Sequence, residues 1–260
     1  MILLYGRYGV GKTTLMSTAP GDILILDPEF GAKDLDMPTY PWLPGEDFPK
    51  IAREDVGRSV IRMPISKWSN FVWAHDQIKT GMLPVKTICL DTLTELQVKA
   101  GIPLSGEVDL RTMSAKKHGW DEWHALKQSF TKIITDFATL KERGRYNIIL
   151  TCSEDSRKDL IVPMMDGGIR HSLARLMDME AYLEVIRTSD GIDLEEDLQD
   201  GVQDGVQETW RLDIQPHSQS PAEVKCRPRV IRETHGLYVV NPNITELLDL
   251  VNKQQRKNLR

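Results

Sequence analysis

A chain of 260 residues, 40% hydrophobic and 27% charged, lies in the globular range, which excludes wholesale disorder. It holds no run near the roughly 18 apolar residues of a membrane helix, so no membrane association is expected. A net charge of −5 and three widely spaced cysteines (Cys89, Cys152, Cys226) argue against a wholly basic nucleic-acid binder, a disulfide scaffold and a zinc site, and fit a reducing, cytoplasmic setting.

Met1 to Tyr5 is an apolar run ending at Gly6, which predicts a buried strand. A glycine-rich turn over 6–11 leads into a short helix, Lys12 to Thr18. Ile23 to Leu26 predicts a second buried strand, closed by Asp27. Residues 28–57 hold five prolines and several acids, and read as a long, mostly irregular insertion. Ser59 to Met63 reads as a strand, and Ser66 to Lys79 as a helix with Ser66 as its N-cap. Val85 to Leu90 is a third buried strand, ending at Asp91. Thr92 to Ala100 predicts a helix, 101–119 a loop, and Trp120 to Arg143 a long amphipathic helix.

Tyr146 to Leu150 is a fourth buried strand, followed by a polar loop over 153–170, a short helix from Ser172 to Asp178, and a strand from Ala181 to Ile186. Residues 188–208 carry eight acids and no Lys or Arg, and read as a solvated hairpin tip or a disordered insertion. Thr209 to Ile214, Val224 to Glu233 and Leu237 to Val240 predict strands, and Asn243 to Val251 a closing helix. Strands alternating with helices, then strands in succession, predict a mostly parallel α/β sheet flanked by helices with an antiparallel C-terminal edge. The expectation is one domain over 1–260, with its surplus length in insertions at 28–57 and 188–208.

Residues 6–13, G-R-Y-G-V-G-K-T, match the phosphate-binding pattern G-x-x-x-x-G-K-[ST] in full, between a strand and a helix. Gly6, Arg7, Tyr8, Gly9, Val10 and Gly11 would form the loop whose N–H groups meet the phosphates of ATP. Lys12 would reach the β- and γ-phosphates, Thr13 would offer its hydroxyl to Mg²⁺, and Thr14 would lie near the α-phosphate. Asp91, ending T-I-C-L-D on a strand expected beside the first, is the candidate for holding the metal; its bland alternative is a helix N-cap. Glu29, in Asp27-Pro28-Glu29, could orient or deprotonate the attacking water, or be a solvated loop acid.

Taken together, G-R-Y-G-V-G-K-T-T, I-L-I-L-D-P-E-F-G and T-I-C-L-D-T-L-T-E-L resemble the RecA-like branch of P-loop ATPases. The nearest resemblance is to the phage-type RecA-like single-strand annealing ATPases, an AAA-type group, over residues 1 to about 180. It implies Mg²⁺-dependent ATP hydrolysis with Glu29 as the catalytic glutamate, acting with Lys12 and Asp91. It also implies single-stranded DNA binding in recombination, in the host cytoplasm if the chain is phage-encoded. Two DNA-facing loops then fall at 101–119, with Arg111, Lys116, Lys117 and His118 before Trp120, and at 153–170, with Arg157, Lys158 and Arg170. The bland readings are ordinary basic loops and a core Trp120. Thr151 and Ser153 become candidates for sensing the γ-phosphate, although the family more often has His or Gln there. Lys225 and Arg227 resemble a Lys-x-Arg element that enters a neighbouring subunit's site, and with Arg229 would share one strand face; otherwise this is a solvated face. The resemblance implies a homo-oligomer or filament and a single-strand-binding protein or other recombination partner. The alternative is a nucleotide-gated DNA- or protein-binding module with little hydrolysis.

Overall fold

The computed structural model describes residues 1–50, 58–105, 120–165, 167–189, 192–193, 206–218 and 220–258. The chain runs β1 (Ile2–Tyr5), α1 (Lys12–Ser17), β2 (Ile23–Asp27), a 3₁₀ turn (Ala32–Asp34), β3 (Thr39–Pro41), β4 (Val60–Pro64) and α2 (Trp68–Lys79). There follow β5 (Thr87–Leu90), α3 (Leu93–Ser105), α4 (Trp120–Glu142), β6 (Asn147–Cys152), β7 (Glu154–Arg157), β8 (Leu160–Pro163) and α5 (Gly167–Leu176). The last elements are β9 (Met179–Ser189), β10 (Ile192–Asp193), β11 (Val206–Asp213), β12 (Lys225–Cys226), α6 (Arg229–His235), β13 (Tyr238–Val240) and α7 (Ile244–Asn258).

The central sheet runs β13-β11-β9-β1-β6-β5-β2-β4-β3, parallel from β9 to β3 and antiparallel from β9 through β11 to β13. This is the predicted α/β architecture. Its inner strands are buried on both faces, which is why I-L-L-Y and I-L-I-L read as unbroken apolar runs and not as alternation. Leu3, Tyr5, Leu24 and Leu26 face one core with α2 to α5, through Phe71, Leu93, Phe130 and Leu173. Ile2, Leu4, Ile23 and Ile25 face a second core with α1, α6 and α7, through Met16, Ile231 and Leu247. All three cysteines are unpaired and buried. Among the described residues no helix is long and apolar enough to cross a membrane.

Several local expectations are corrected. Within 28–57, Thr39–Pro41 forms an edge strand on β4, and Trp42 is buried against Phe48 and Trp73. The prolines shorten this strand and confine it to the edge, where a missing N–H is tolerated. Residues 51–57 lie outside the described residues. Ser66 does not cap α2: the N-cap is Lys67, with no side-chain bond, and Ser66 Oγ accepts from Asn70 Nδ2 at 3.1 Å. Helix α3 continues to Ser105 across the start of the expected loop.

The span 153–170 is the hairpin β7–β8 followed by the first turn of α5. Glu154–Arg157 shows no strand alternation because this two-stranded unit stands off the main sheet and its residues are at least partly exposed. Val224 to Glu233 is not one strand. Pro228 ends it, Arg229 opens α6, and the β-branched Val230 and Ile231 are helical, with Ile231 in the second core. The acidic 188–208 segment joins β9 to β11, which pair from Ser189↔Val206 inward. Its residues 190–191 and 194–205 lie outside the described residues.

Candidate active site

Parallel strands put their carboxyl ends on one edge of the sheet, and the loops there form the crevice of an open α/β fold. Residues 6–11 leave β1 at that edge and turn into α1. Gly6 has φ 156°, and a Cβ there would sit 2.3 Å from the Leu183 carbonyl oxygen, so the loop can pass β9 only without a side chain. Arg7, Tyr8 and Gly9 are exposed at its crest, Tyr8 at 91%, and Val10 closes the turn with a 3.4 Å bond to the Arg7 carbonyl. Arg7 Nε reaches Glu154 Oε1 at 3.3 Å, which ties the crest to the β7–β8 hairpin.

Lys12 is buried under this loop, and Nζ donates to the carbonyls of Gly6 at 2.8 Å and Arg7 at 2.6 Å. Burial lowers its proton affinity, while Asp91 and Glu29 favour the charged form. Thr13 Oγ1 donates to Asp91 Oδ2 at 2.5 Å, and Thr151 Oγ1 donates to Asp91 Oδ1. Each Asp91 oxygen thus takes one hydroxyl. Burial raises its proton affinity, and the two hydroxyl bonds oppose that. Thr14 faces solvent on α1.

β5 is not beside β1 as expected. β6 lies between them, and places Thr151 at the level of Leu4. The order of parallel strands is set by long-range packing, and no local pattern announces it. Thr151 is thus fully buried and bound to Asp91, while Ser153 N donates to Thr94 Oγ1 at 3.1 Å at the base of the hairpin.

Glu29 stands at the rim, with Oε1 accepting from Thr92 Oγ1 at 2.8 Å. Partial desolvation raises its proton affinity, opposed by the Thr92 bond. Asp27 plays a different part. Fully buried, it accepts from Gly31 N at 3.1 Å, Ala32 N at 3.2 Å and Arg62 Nε at 2.5 Å, and so fixes the turn carrying Glu29.

The other predicted residues scatter. Arg111, Lys116, Lys117 and His118 lie outside the described residues, and Trp120 is placed only as the first residue of α4. Lys158 is exposed at the tip of the β7–β8 hairpin with φ 58°, beside Arg157, whose Nε contacts Asp155 at 2.7 Å. Arg170 is mostly covered, 3.9 Å from Glu223, because α5 replaces the expected loop. Lys225 and Arg227 lie at the other edge of the sheet, where Lys225 pairs with Glu180. Lys225 Nζ donates to the Ala174 carbonyl and Arg227 Nη2 to that of Arg175 at 2.6 Å, so both cap the end of α5. Of the three, only Lys225 lies on a strand, β12; Arg227 follows it, and Arg229 opens α6, so they share no strand face.

Thr92, Arg62 and Trp210 also contact this grouping, through Glu29, Asp27 and Val10, and no motif assigns them a role. Thr92 could have been found from its place after Asp91. Trp210, whose Nε1 donates to the Val10 carbonyl at 3.0 Å from a separation of 200 residues, gave no signal.

Mg²⁺ is held by one or two carboxylates with waters and substrate phosphates, not by an all-protein cage. Thr13 Oγ1 and the Asp91 carboxylate offer adjoining oxygens. Among the described residues no group of three or more His, Cys, Asp or Glu forms a cage. The donor set therefore fits Mg²⁺ shared with a nucleotide.

The mostly parallel sheet, the glycine turn into α1 and the Lys12–Thr13–Asp91 grouping define a P-loop NTPase-like protein. A family model described as AAA domain matches residues 1–223. The chain belongs to that family, a P-loop ATPase class. Among curated proteins, none matches it.

Proposed function

We propose that the chain binds ATP, hydrolyses it to ADP and phosphate, and couples this to single-stranded DNA in recombination or annealing, as in the phage-type RecA-like ATPases its motifs resemble. The convergence of Lys12, Thr13, Asp91 and Glu29 at one edge of the sheet carries the ATPase reading. Lys12 exchanges its two loop carbonyls for the β- and γ-phosphate oxygens. Thr13 and Asp91 hold Mg²⁺, which when bound offsets phosphate charge. Glu29, oriented through Thr92, positions the attacking water and accepts its proton. Its raised proton affinity makes it a stronger base than an ordinary glutamate.

Two contacts support coupling to the hairpin. Arg7 of the loop meets Glu154 of β7, and Thr94, on the helix after Asp91, donates to the Met164 carbonyl at 3.1 Å while accepting from Ser153 N. A DNA phosphate drawn to Arg157 and Lys158 would bear on the nucleotide through these bonds, and Arg111, Lys116, Lys117 and Trp120 are the further DNA contacts the resemblance implies. Lys225 and Arg227 act in a neighbouring copy of an oligomer or filament, and a single-strand-binding protein is a natural further partner.

Steady-state ATPase with and without single-stranded DNA tests this. Turnover that DNA stimulates, and that Lys12→Ala and Glu29→Gln abolish, is the expected result. ATP-dependent DNA binding without turnover would favour the nucleotide-gated module. No DNA binding at low salt in any nucleotide state would end the DNA reading. ATPase per protomer unchanged in a Lys225→Ala/Arg227→Ala double variant would end the neighbouring-subunit role.

A further inference from the structure

The phosphate loop has two flanks, and the chemistry occupies one. Toward β6, β5 and β2 it faces Asp91, Thr151 and Glu29. On the other flank lies β11, two strands from β1. There Trp210 pairs with Val185 of β9, three residues beyond the Tyr5↔Tyr182 pair that ends β1, and so overhangs the loop. Its indole N–H donates to the Val10 carbonyl, and a Cβ on Gly11 would come within 3.1 Å of Nε1. Gly11 keeps this approach open, and the indole is locked against the loop.

Trp210 is nevertheless 41% exposed, while Leu212 on the same strand face is fully buried in the second core. The Trp210 N–H is satisfied by the loop, so ring surface, not a hydrogen bond, is what it offers to solvent. The neighbouring wall is built to stay in place. Asn241 N donates to the Trp210 carbonyl at 2.8 Å, and its Oδ1 accepts from Trp210 N at 3.2 Å. Ile244 N donates to Thr18 Oγ1 at 2.8 Å, and Thr245 Oγ1 to the Thr18 carbonyl at 2.6 Å, which pins the 241–243 turn to the end of α1. An exposed aromatic ring, with the Asn241 amide beside its strand, thus stands over the loop that runs into α1, on which Thr14 faces solvent.

We infer that this flank holds the nucleobase, with the Trp210 indole as its stacking platform. The inference rests on the nucleotide reading above and adds the direction of the ligand. With the terminal phosphate among Lys12, Asp91 and Glu29, the polyphosphate leaves the loop past Thr14, and the nucleoside emerges on the β11 flank. A ring face stacks on any base, so the platform supplies affinity with little choice between adenine and guanine.

The test is calorimetric titration of the full chain, in Mg²⁺, with ATP, GTP and inorganic triphosphate. Wild type is compared with Trp210→Ala, Trp210→Phe and Lys12→Ala, with thermal melts to confirm folding. Trp210→Ala is expected to weaken ATP and GTP by about tenfold, the scale of base–aromatic stacking, and to leave inorganic triphosphate unchanged. Trp210→Phe keeps a ring but not the bond to Val10, and is expected to recover most of the loss. Equal loss for ATP and inorganic triphosphate, or a Phe variant as weak as the Ala variant, would mean that Trp210 only shapes the loop, and would overturn the inference. Unchanged ATP affinity in Trp210→Ala would overturn it too. ATP binding lost only in Lys12→Ala leaves the nucleotide reading intact, whereas a wild type that binds neither ATP nor triphosphate defeats both.

Discussion

Thr151→Val removes one of two hydroxyls bound to Asp91 and changes little else in shape. Asp91 is 2% exposed, so no solvent replaces the lost donor at Oδ1, and only Thr13 remains. A hydrogen bond to a charged group contributes about 1.5–3 kcal/mol, and 1.4 kcal/mol is a factor of ten. Burial already raises the proton affinity of Asp91, and the Thr151 bond is one of the two hydroxyl bonds that oppose it. Without it the carboxylate gains protons about tenfold more readily or better, and a protonated Asp91 does not hold Mg²⁺. The acid limb of Mg²⁺-activated ATPase therefore moves up by about one pH unit or more in Thr151→Val, and Thr151→Ser restores it. The assay is turnover against Mg²⁺ concentration from pH 5.5 to 8.5. Reduced turnover with an unmoved acid limb would refute the reasoning, because Thr151 would then act on the phosphate itself, as the sensor resemblance implies.

Trp42→Ala empties a site that is 1% exposed, with the indole edge-on to Phe48 and tilted against Trp73, so a loss of about 3–5 kcal/mol is expected in urea unfolding. A loss below about 0.5 kcal/mol would return this segment to the surface. Glu180 is 4% exposed on β9, and burial, with Glu223 adding to it, raises its carboxyl from 4.5 to about 7. The folded chain therefore holds a proton that the unfolded chain has released. The stability this gives is full below pH 4.5 and is lost as pH rises through about 7. At about 1.4 kcal/mol per pH unit the interval amounts to about 3 kcal/mol, so Glu180→Gln should gain on wild type by up to that amount between pH 5 and 8. Urea midpoints whose difference stays constant across this range would count against it.

The sequence announces what local chemistry dictates. G-R-Y-G-V-G-K-T needs its glycines where the backbone passes Leu183 and Trp210, and strands buried on both faces leave unbroken apolar runs. Strand order and partnership across long separations leave no such mark. Placing β6 between β1 and β5 turns Thr151 from a tip residue into the clamp on Asp91. The acid pair Asp27 and Glu29 looks equivalent in sequence, yet Arg62 and two backbone N–H groups consume Asp27 and leave Glu29 at the rim. Val230 and Ile231 have strand chemistry, but Pro228 and the second core make them helical.

The position of Lys225 and Arg227 constrains any role they take at the nucleotide. β12 pairs with β9 at Met179 and Glu180, and Met179 lies beside Ile2 at the start of β1, whereas the phosphate loop leaves β1 after Tyr5. At about 3.3 Å per residue the strand alone separates the two levels by roughly 10 Å, with the loop beyond it. The side chains, moreover, reach toward α5, not toward the loop. Within one chain they therefore cannot serve the site, and only a second copy, docked edge to edge, could present them to a γ-phosphate. Presentation has a cost. Each cation now satisfies a carbonyl at the end of α5, where the helix dipole favours positive charge, and giving up such a bond costs on the order of 1 kcal/mol. Assembly and bound triphosphate together must exceed that. A neighbouring-subunit role thus requires that ATP and the oligomer stabilise each other, since the charge that draws the two cations from α5 is the phosphate held by the next copy.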